Sequence, residues 1–183
     1  MDFERVLKTL LAEFERRQIR YATIGGFALG ALGAERTTKD LDFLIGRDDV
    51  DRVYEIMKGL GYLRYAQTAN VTHYRHPDAD WVSVDVIHGL RKHARDVLGR
   101  AKLYQIFGNA LTIRVADPED VIGFKVQGIA NNPTRRLQDQ ADIERLMEVY
   151  RDRLDWGRIQ EYYDLFDMGD EARRLQERFG HAQ

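Results

Sequence analysis

The sequence has 183 residues with a formal net charge of −2, and its 44% hydrophobic and 10% aromatic content is that of a globular chain long enough to bury a core. The absence of Cys excludes disulfides, thiolate catalysis and cysteine-bound zinc. The near-neutral charge gives no overall attraction to nucleic acid or an anionic membrane, and no apolar run approaches the roughly 20 residues that cross a bilayer, so we expect a soluble, cytoplasmic protein.

Helical and strand periodicities alternate up to residue 116, and only helical periodicity follows. In chain order we predict a helix over 2–17, a strand over 19–24, a helix over 27–32, a strand over 38–45, a helix over 50–60, strands over 72–75, 81–87 and 110–115, and helices over 119–130, 136–150, 156–166 and 170–179. This order predicts an α/β (α+β) fold with a mixed sheet flanked by helices. We expect an α/β core at 1–116 and a C-terminal helical bundle at 117–183 that packs on it.

Two acidic residues, Asp40 and Asp42, lie two positions apart in the second predicted strand, whose other face carries Leu41, Phe43 and Ile45. Residues two apart in a strand point to the same side, so these carboxylates converge. Their repulsion would force one of them to take up a proton unless a divalent cation is bound, and hard oxygen ligands favour Mg²⁺ or Mn²⁺. Two functionless acids on a solvent-facing strand are the alternative interpretation.

A third acidic residue, Asp85, interrupts an apolar strand whose opposite face carries Val82, Val84 and Val86. If this strand pairs beside the strand of Asp40, three carboxylates meet at one point. Such a group can hold one or two metal ions across a phosphoryl or nucleotidyl transfer. An exposed, salt-bridged aspartate is the alternative.

The dipeptide Gly25-Gly26 joins the first predicted strand to a short helix. Unhindered backbone N–H groups at a helix start attract anions, although most Gly-Gly turns only connect elements. About fifteen residues separate this turn from Asp40, which leaves room for one helix and a return strand. A phosphate-binding turn and the acidic residues can therefore lie at the same edge of the sheet.

The combined pattern resembles the nucleotidyltransferase superfamily, and within it the small Gly-Gly forms: AbiEii-type toxin nucleotidyltransferases and aminoglycoside or lincosamide nucleotidyltransferases. The positions that carry the resemblance are Gly25, Gly26, Ala28, Gly33, Arg36, Thr38, Asp40, Asp42 and Asp85. The resemblance implies a nucleotidyltransferase-like fold, with metal-binding, catalytic roles for the three aspartates. It also implies that an NTP is held at Gly25, Gly26, Arg36 and Thr38. Position 26 departs from the pattern, because serine is commoner there in the superfamily.

The resemblance extends to two sites in the helical part of the chain. It assigns Lys125 to the triphosphate, although a lysine at the rim of an apolar face is an alternative. An arginine, Arg135 or Arg136, precedes Asp139 and Asp142, which is similar to an AbiEii-like pattern in which an acid assists deprotonation of the acceptor. We therefore predict a catalytic role for Asp139. Alternatively, both acids only favour the positive end of their helix.

Two histidine pairs are candidate metal ligands: His73 with His76, and His88 with His93. Neither pair has a clear i, i+4 helical setting with a third ligand, so we expect surface or turn positions for them. His88 lies three residues after Asp85 and could contact substrate.

These features predict a metal-dependent nucleotidyltransferase, which moves a nucleoside monophosphate from an NTP to an acceptor hydroxyl or phosphate and releases pyrophosphate. The acceptor is left open between tRNA or protein, as for a toxin with an antitoxin as potential partner, and a small hydroxylated molecule such as an antibiotic. A degenerate, non-catalytic NTP-binding module and a metal-dependent phosphohydrolase that uses the same acids are the alternatives.

Overall fold

The computed structural model describes residues 1–89 and 92–180, and within them a seven-stranded mixed sheet is packed between helices. The strands are β1 (Tyr21–Ile24), β2 (Asp40–Gly46), β3 (Leu63–Gln67), β4 (Val71–Arg75), β5 (Ser83–Gly89), β6 (Lys102–Ile106) and β7 (Leu111–Val115). The α-helices are α1 (Phe3–Arg16), α2 (Gly25–Ala31), α3 (Val50–Gly59), α4 (Lys92–Arg100), α5 (Pro118–Asn131), α6 (Arg136–Tyr150), α7 (Trp156–Asp164) and α8 (Gly169–Phe179). Short 3₁₀ turns lie at Arg47–Asp49, Pro133–Arg135 and Arg151–Arg153.

The strand order across the sheet is β3-β4-β5-β2-β1-β7-β6. Strand β2 is parallel to β5 and antiparallel to β1, while β1 is parallel to β7. Antiparallel hairpins, β3 with β4 and β6 with β7, form the two edges. The predicted α/β fold, with a mixed sheet flanked by helices and a C-terminal helical bundle, is confirmed.

Each face of the sheet has its own hydrophobic core. Leu41, Phe43 and Ile45 of β2 pack with α1 and α3 on one face, as the alternation in this strand predicts. On the other face, residues such as Leu44 and Val115 pack with α2, α4 and the four C-terminal helices. The C-terminal helices therefore share a core with the sheet, and the predicted boundary between residues 116 and 117 stays a prediction.

Two strands escaped prediction, namely the edge strands β3 and β6. All five residues of β3 are exposed, and β6 buries none of its side chains fully. An edge strand that buries so little shows no alternation of apolar and polar residues, which is the signal on which strand prediction depends. Helix α2 also begins at Gly25, two residues earlier than predicted. None of the helices in the described ranges is both long and apolar enough to cross a membrane.

Candidate active site

The parallel pairing of β2 with β5 brings the three predicted carboxylates together. Asp42 and Asp85 are register partners across these strands, and Asp40 lies two residues before Asp42 on the same face. Neighbouring strands are about 4.8 Å apart. All three side chains are partly exposed on the face of the sheet that also carries Leu44. Their proximity is therefore a feature of the structure, whereas their catalytic and metal-binding roles stay predictions.

The electrostatics of this face follow from that crowding. Burial raises the pKa of Asp42 from 3.8 to about 7, and the charges of Asp40 and Asp85 add to the effect, against the opposing charge of Lys125. Burial also raises the pKa of Asp85, although the hydrogen bond and charge of His73 oppose it. An excess of negative charge on one small surface is a setting in which a bound cation would be strongly favoured.

Each carboxylate is held by a different hydrogen-bond donor. The Thr38 hydroxyl lies 2.7 Å from Oδ1 of Asp40, the backbone N–H of Gly26 donates to Asp42, and Nδ1 of His73 lies 2.8 Å from Oδ1 of Asp85. Among the residues that the structure describes, no three His, Asp or Glu side chains converge closely enough to form a ready metal-binding group.

The glycine turn fits tightly against the carboxylates. Gly25 has a φ of +65°, and a β-carbon on it would lie 1.9 Å from Oδ2 of Asp42. A β-carbon on Gly26 would lie 2.8 Å from Oγ1 of Thr38. The departure from serine at position 26 therefore has a steric reason, since the Thr38 side chain occupies the space that a serine would need. Both glycines are required by close approach, and Gly25 also by its backbone conformation.

Behind the carboxylates lies a buried charge cluster formed by Arg36, Lys125, Arg135, Asp139 and Asp142. Nζ of Lys125 is 2.9 Å from Oδ1 of Asp139 and 2.6 Å from Oδ2 of Asp142, and both acids are buried. Arg36 also pairs with Asp142, and Nε of Arg135 lies 3.0 Å from Oδ2 of Asp139. Burial by itself would raise the pKa of Asp139, but the charge of Lys125 and hydrogen bonds from Lys125 and Arg135 outweigh it and lower that pKa.

This cluster revises two alternatives left open by the sequence. Lys125 is a fully enclosed residue and not a lysine that snorkels at the rim of the helix. Asp139 and Asp142 both bind the buried Lys125, which goes beyond a favourable interaction with the end of α6. The importance of Asp142 was missed by the sequence reasoning, although its spacing from Asp139 placed both on one helix face. Lys125 lies near enough to the sheet carboxylates that its charge affects Asp42.

The expectation of surface or turn histidines is wrong for His88, while His73 is partly exposed but lies on a strand beside the site. His73 lies opposite Asp85 in the β4–β5 pairing and contacts its carboxylate. His88 is buried, with its Nε2 2.9 Å from Oγ1 of Thr72, and it lies on the opposite face of β5 from Asp85. The side chain of His93 lies outside the described part of the chain. The pairing of β4 with β5 is the signal that could have identified His73.

Residues 2–170 match a family described as "Uncharacterised nucleotidyltransferase". The chain belongs to this family. The resemblance inferred from the glycine turn and the aspartates is confirmed, as is the prediction that the chain is a nucleotidyltransferase enzyme. No curated protein has a significant sequence match to this nucleotidyltransferase.

Solved structures share the fold of this nucleotidyltransferase at low sequence identity. The antibiotic-resistance factor ANT(2'')-Ia, in solution, has a TM-score of 0.66 at 15% identity over 97% of this chain and 99% of that chain. A lincosamide antibiotic adenylyltransferase, LnuA, has a TM-score of 0.59 at 14% identity over 81% of this chain and 98% of that chain. A nucleotidyltransferase-like antigenic protein from Paracoccidioides brasiliensis has a TM-score of 0.58 at 16% identity, covering 94% and 91% of the two chains.

Proposed function

We propose that this nucleotidyltransferase moves a nucleoside monophosphate from an NTP to an acceptor hydroxyl or phosphate, with Mg²⁺ or Mn²⁺ held by Asp40, Asp42 and Asp85. The observation that carries the proposal is the register pairing of Asp42 with Asp85 beside Asp40. The raised pKa of Asp42 is the response of an acid that is crowded by like charges. Because all the crowded donors are hard oxygens, the set fits these ions.

In the proposed reaction the acceptor oxygen bonds to the α-phosphorus of the NTP. The bond between that phosphorus and the oxygen bridging to the β-phosphorus breaks, pyrophosphate leaves, and a hydroxyl acceptor loses its proton. A divalent ion at the carboxylates would supply Lewis acidity and charge compensation at the phosphate oxygens. The protein's own contribution is positioning and electrostatic stabilisation.

Residues around the carboxylates support this role of the protein in positioning and electrostatic stabilisation. Thr38 orients Asp40 through its hydroxyl, and the lack of side chains at Gly25 and Gly26 lets the turn pack directly against Asp42 and Thr38. The guanidinium of Arg36 lies beside this turn, where its charge can compensate phosphate. The predicted catalytic role of Asp139 stays a prediction; its contacts support a role in holding Lys125 and Arg135 in place.

The acceptor is set neither by the fold nor by the comparisons. Lincomycin and adenylyl-2''-tobramycin are bound in two of the solved relatives, but identities of 14% and 13% carry the fold alone. A toxin role and an antitoxin partner likewise stay predictions.

The test is incubation with each α-³²P-labelled NTP and Mg²⁺ in the presence of total RNA, total protein or hydroxylated small molecules. We expect label to enter one acceptor class, and Asp42→Asn to reduce transfer by at least about 100-fold. Asp152→Asn, at an exposed position distant in sequence, is the matched control and should transfer normally. Full transfer by Asp42→Asn would contradict the proposal. Labelled NMP without any adduct would indicate the phosphohydrolase alternative, and NTP binding without turnover the non-catalytic one.

A further inference from the structure

The order of the strands places two different surfaces on the two sides of the carboxylates. Across the sheet, β1 with its glycine turn lies on one side of β2 and β5, and the β3–β4 hairpin lies on the other. In a nucleotidyl transfer the attacking and leaving oxygens are roughly in line through the phosphorus. If the triphosphate lies at the glycine turn, as the proposed function has it, a line from that turn through the carboxylates leads to the hairpin side, where the acceptor would approach.

The hairpin surface on this side carries a row of flat groups in contact, here called the stack, in which the rings of His73 and Tyr65 are tilted by 41° to each other. His73 contacts Asp85, the ring of Tyr65 lies 5.7 Å from the ring of His73, and the guanidinium of Arg75 lies 4.5 Å from the centre of the Tyr65 ring. Tyr65 is 51% exposed and Arg75 is exposed as well. The stack therefore leads from the carboxylates to solvent.

The sequence around the β3–β4 hairpin carries only positive charge. No Asp or Glu occurs from residue 56 to residue 77, whereas Lys58, Arg64 and Arg75 lie within it, although acids outnumber bases in the whole chain. A polycationic acceptor would find no carboxylate on the hairpin to pair with and would be repelled by Arg75. A phosphate group would find a cation there, and a planar base would find aromatic and guanidinium surfaces on which to stack.

We propose, on the basis of the proposed function, that the acceptor is a nucleotide whose base and phosphate are held by Tyr65, His73 and Arg75. Its ribose hydroxyl would then lie beside Asp85. That hydroxyl oxygen forms the new bond to the α-phosphorus, pyrophosphate leaves with the broken phosphoanhydride bond, and the hydroxyl proton is released to solvent. The nucleotide is either a free mononucleotide or the end of a single-stranded nucleic acid, and the assay distinguishes these two sources.

The chain offers a matched control on the other strand of the same hairpin. Arg64 is also exposed, but its guanidinium lies 4.5 Å from the centre of the Tyr54 ring on α3, which packs against the opposite face of the sheet. Replacing Arg64 or Arg75 by alanine removes the same charge from the same hairpin, but only Arg75 belongs to the stack. A general attraction of anions to the hairpin would respond equally to both changes.

Binding is measured for four probes in the presence of Mg²⁺: labelled oligoadenylate, AMP, ribose 5-phosphate and tobramycin. We expect oligoadenylate or AMP to bind, and Tyr65→Ala and Arg75→Ala each to weaken that binding about 10-fold, with Arg64→Ala within about twofold of the parent protein. Tyr65→Phe should retain binding because it keeps the ring. Preferred binding of oligoadenylate identifies a chain end as the source, and equal binding of AMP identifies a free nucleotide.

Three results would overturn the inference. The first is an equal loss of nucleotide binding in Arg64→Ala and Arg75→Ala, and the second is ribose 5-phosphate that binds as tightly as AMP. The third is binding of tobramycin when neither nucleotide probe binds. Failure of all four probes to bind would also overturn it. These outcomes are separable from failure of the proposed function, which is read from transfer by Asp42→Asn and from Mg²⁺–NTP binding.

Discussion

Replacing Asp42 by asparagine should make the metal-free protein more stable at alkaline pH. Asn is nearly isosteric with Asp, and its carbonyl oxygen can accept the hydrogen bond from the backbone N–H of Gly26. The change removes a charge that burial, Asp40 and Asp85 all disfavour. A substitution that abolishes the proposed activity is therefore expected to increase the free energy of unfolding.

The size and sign of the effect follow from linkage between protonation and folding. The pKa of Asp42 rises from 3.8 to about 7, and one pKa unit corresponds to about 1.4 kcal/mol, so ionising Asp42 costs up to about 4 kcal/mol. Partial exposure of the side chain and screening by salt reduce this to about 2 kcal/mol. Because the folded-state pKa is raised, the penalty is absent below about pH 4 and complete above about pH 7.

Urea unfolding of both proteins in EDTA at pH 4.5 and pH 8 measures the effect. The stabilisation by Asp42→Asn should be small at pH 4.5 and about 2 kcal/mol at pH 8. Asp152→Asn, an exposed control, should show no such change with pH. Saturating Mg²⁺ should stabilise the parent protein more than the variant, because it binds the folded carboxylates. A variant that is less stable than its parent at pH 8, or equally affected at both pH values, would refute the electrostatic reasoning.

Three further substitutions test the surroundings of the carboxylates by urea unfolding. Gly25→Ala places a β-carbon 1.9 Å from a carboxylate oxygen at positive φ and should cost at least about 3 kcal/mol, whereas Gly30→Ala in α2, with open space around it, should stabilise by up to about 1 kcal/mol. Equal effects would contradict the steric argument. Gly26→Ser should lower the free energy of unfolding by about 1–2 kcal/mol, because the serine β-carbon meets Thr38. Adding Thr38→Ala should recover part of that loss, and no recovery would contradict the clash. Lys125→Met removes the buried cation that Asp139 and Asp142 share and leaves them only their arginine partners, so it should cost about 3 kcal/mol; a loss below about 1 kcal/mol would argue against the buried cluster.

The carboxylate face could be predicted from sequence because strand periodicity acts locally. Alternation in β2 separates Leu41 and Phe43 from Asp40 and Asp42, and the buried cores confirm this division. The same rule placed Asp85 opposite the valines of β5. What alternation could not supply was the neighbour of each strand. Adjacency of β2 and β5 was a condition in the sequence argument, and only the structure meets it.

The contacts that were missed all depend on tertiary pairing. His73 belongs to the site because β4 pairs with β5, and the adjoining β3, being exposed throughout, carries no pattern that predicts a hairpin there. Lys125 and Asp142 lie on different helices, and their contact is fixed by the packing of α5 against α6. A single lysine on an apolar helix face predicts that the aliphatic part of its side chain is buried. It does not predict which carboxylates pair with its ammonium group.

The buried cluster also bears on which cations remain for an incoming triphosphate. Lys125 is only 5% exposed and is already shared between Asp139 and Asp142, so moving it toward phosphate would take from two buried acids the one cation that is buried with them. Arg36 and Arg135 each bind one of the same acids but reach the surface, with side chains 17% and 59% exposed. Either guanidinium can extend toward a ligand while the cluster keeps Lys125. If the proposed triphosphate binds here, this arrangement favours the two arginines as its contacts, with Lys125 as the charge that stays between their acidic partners.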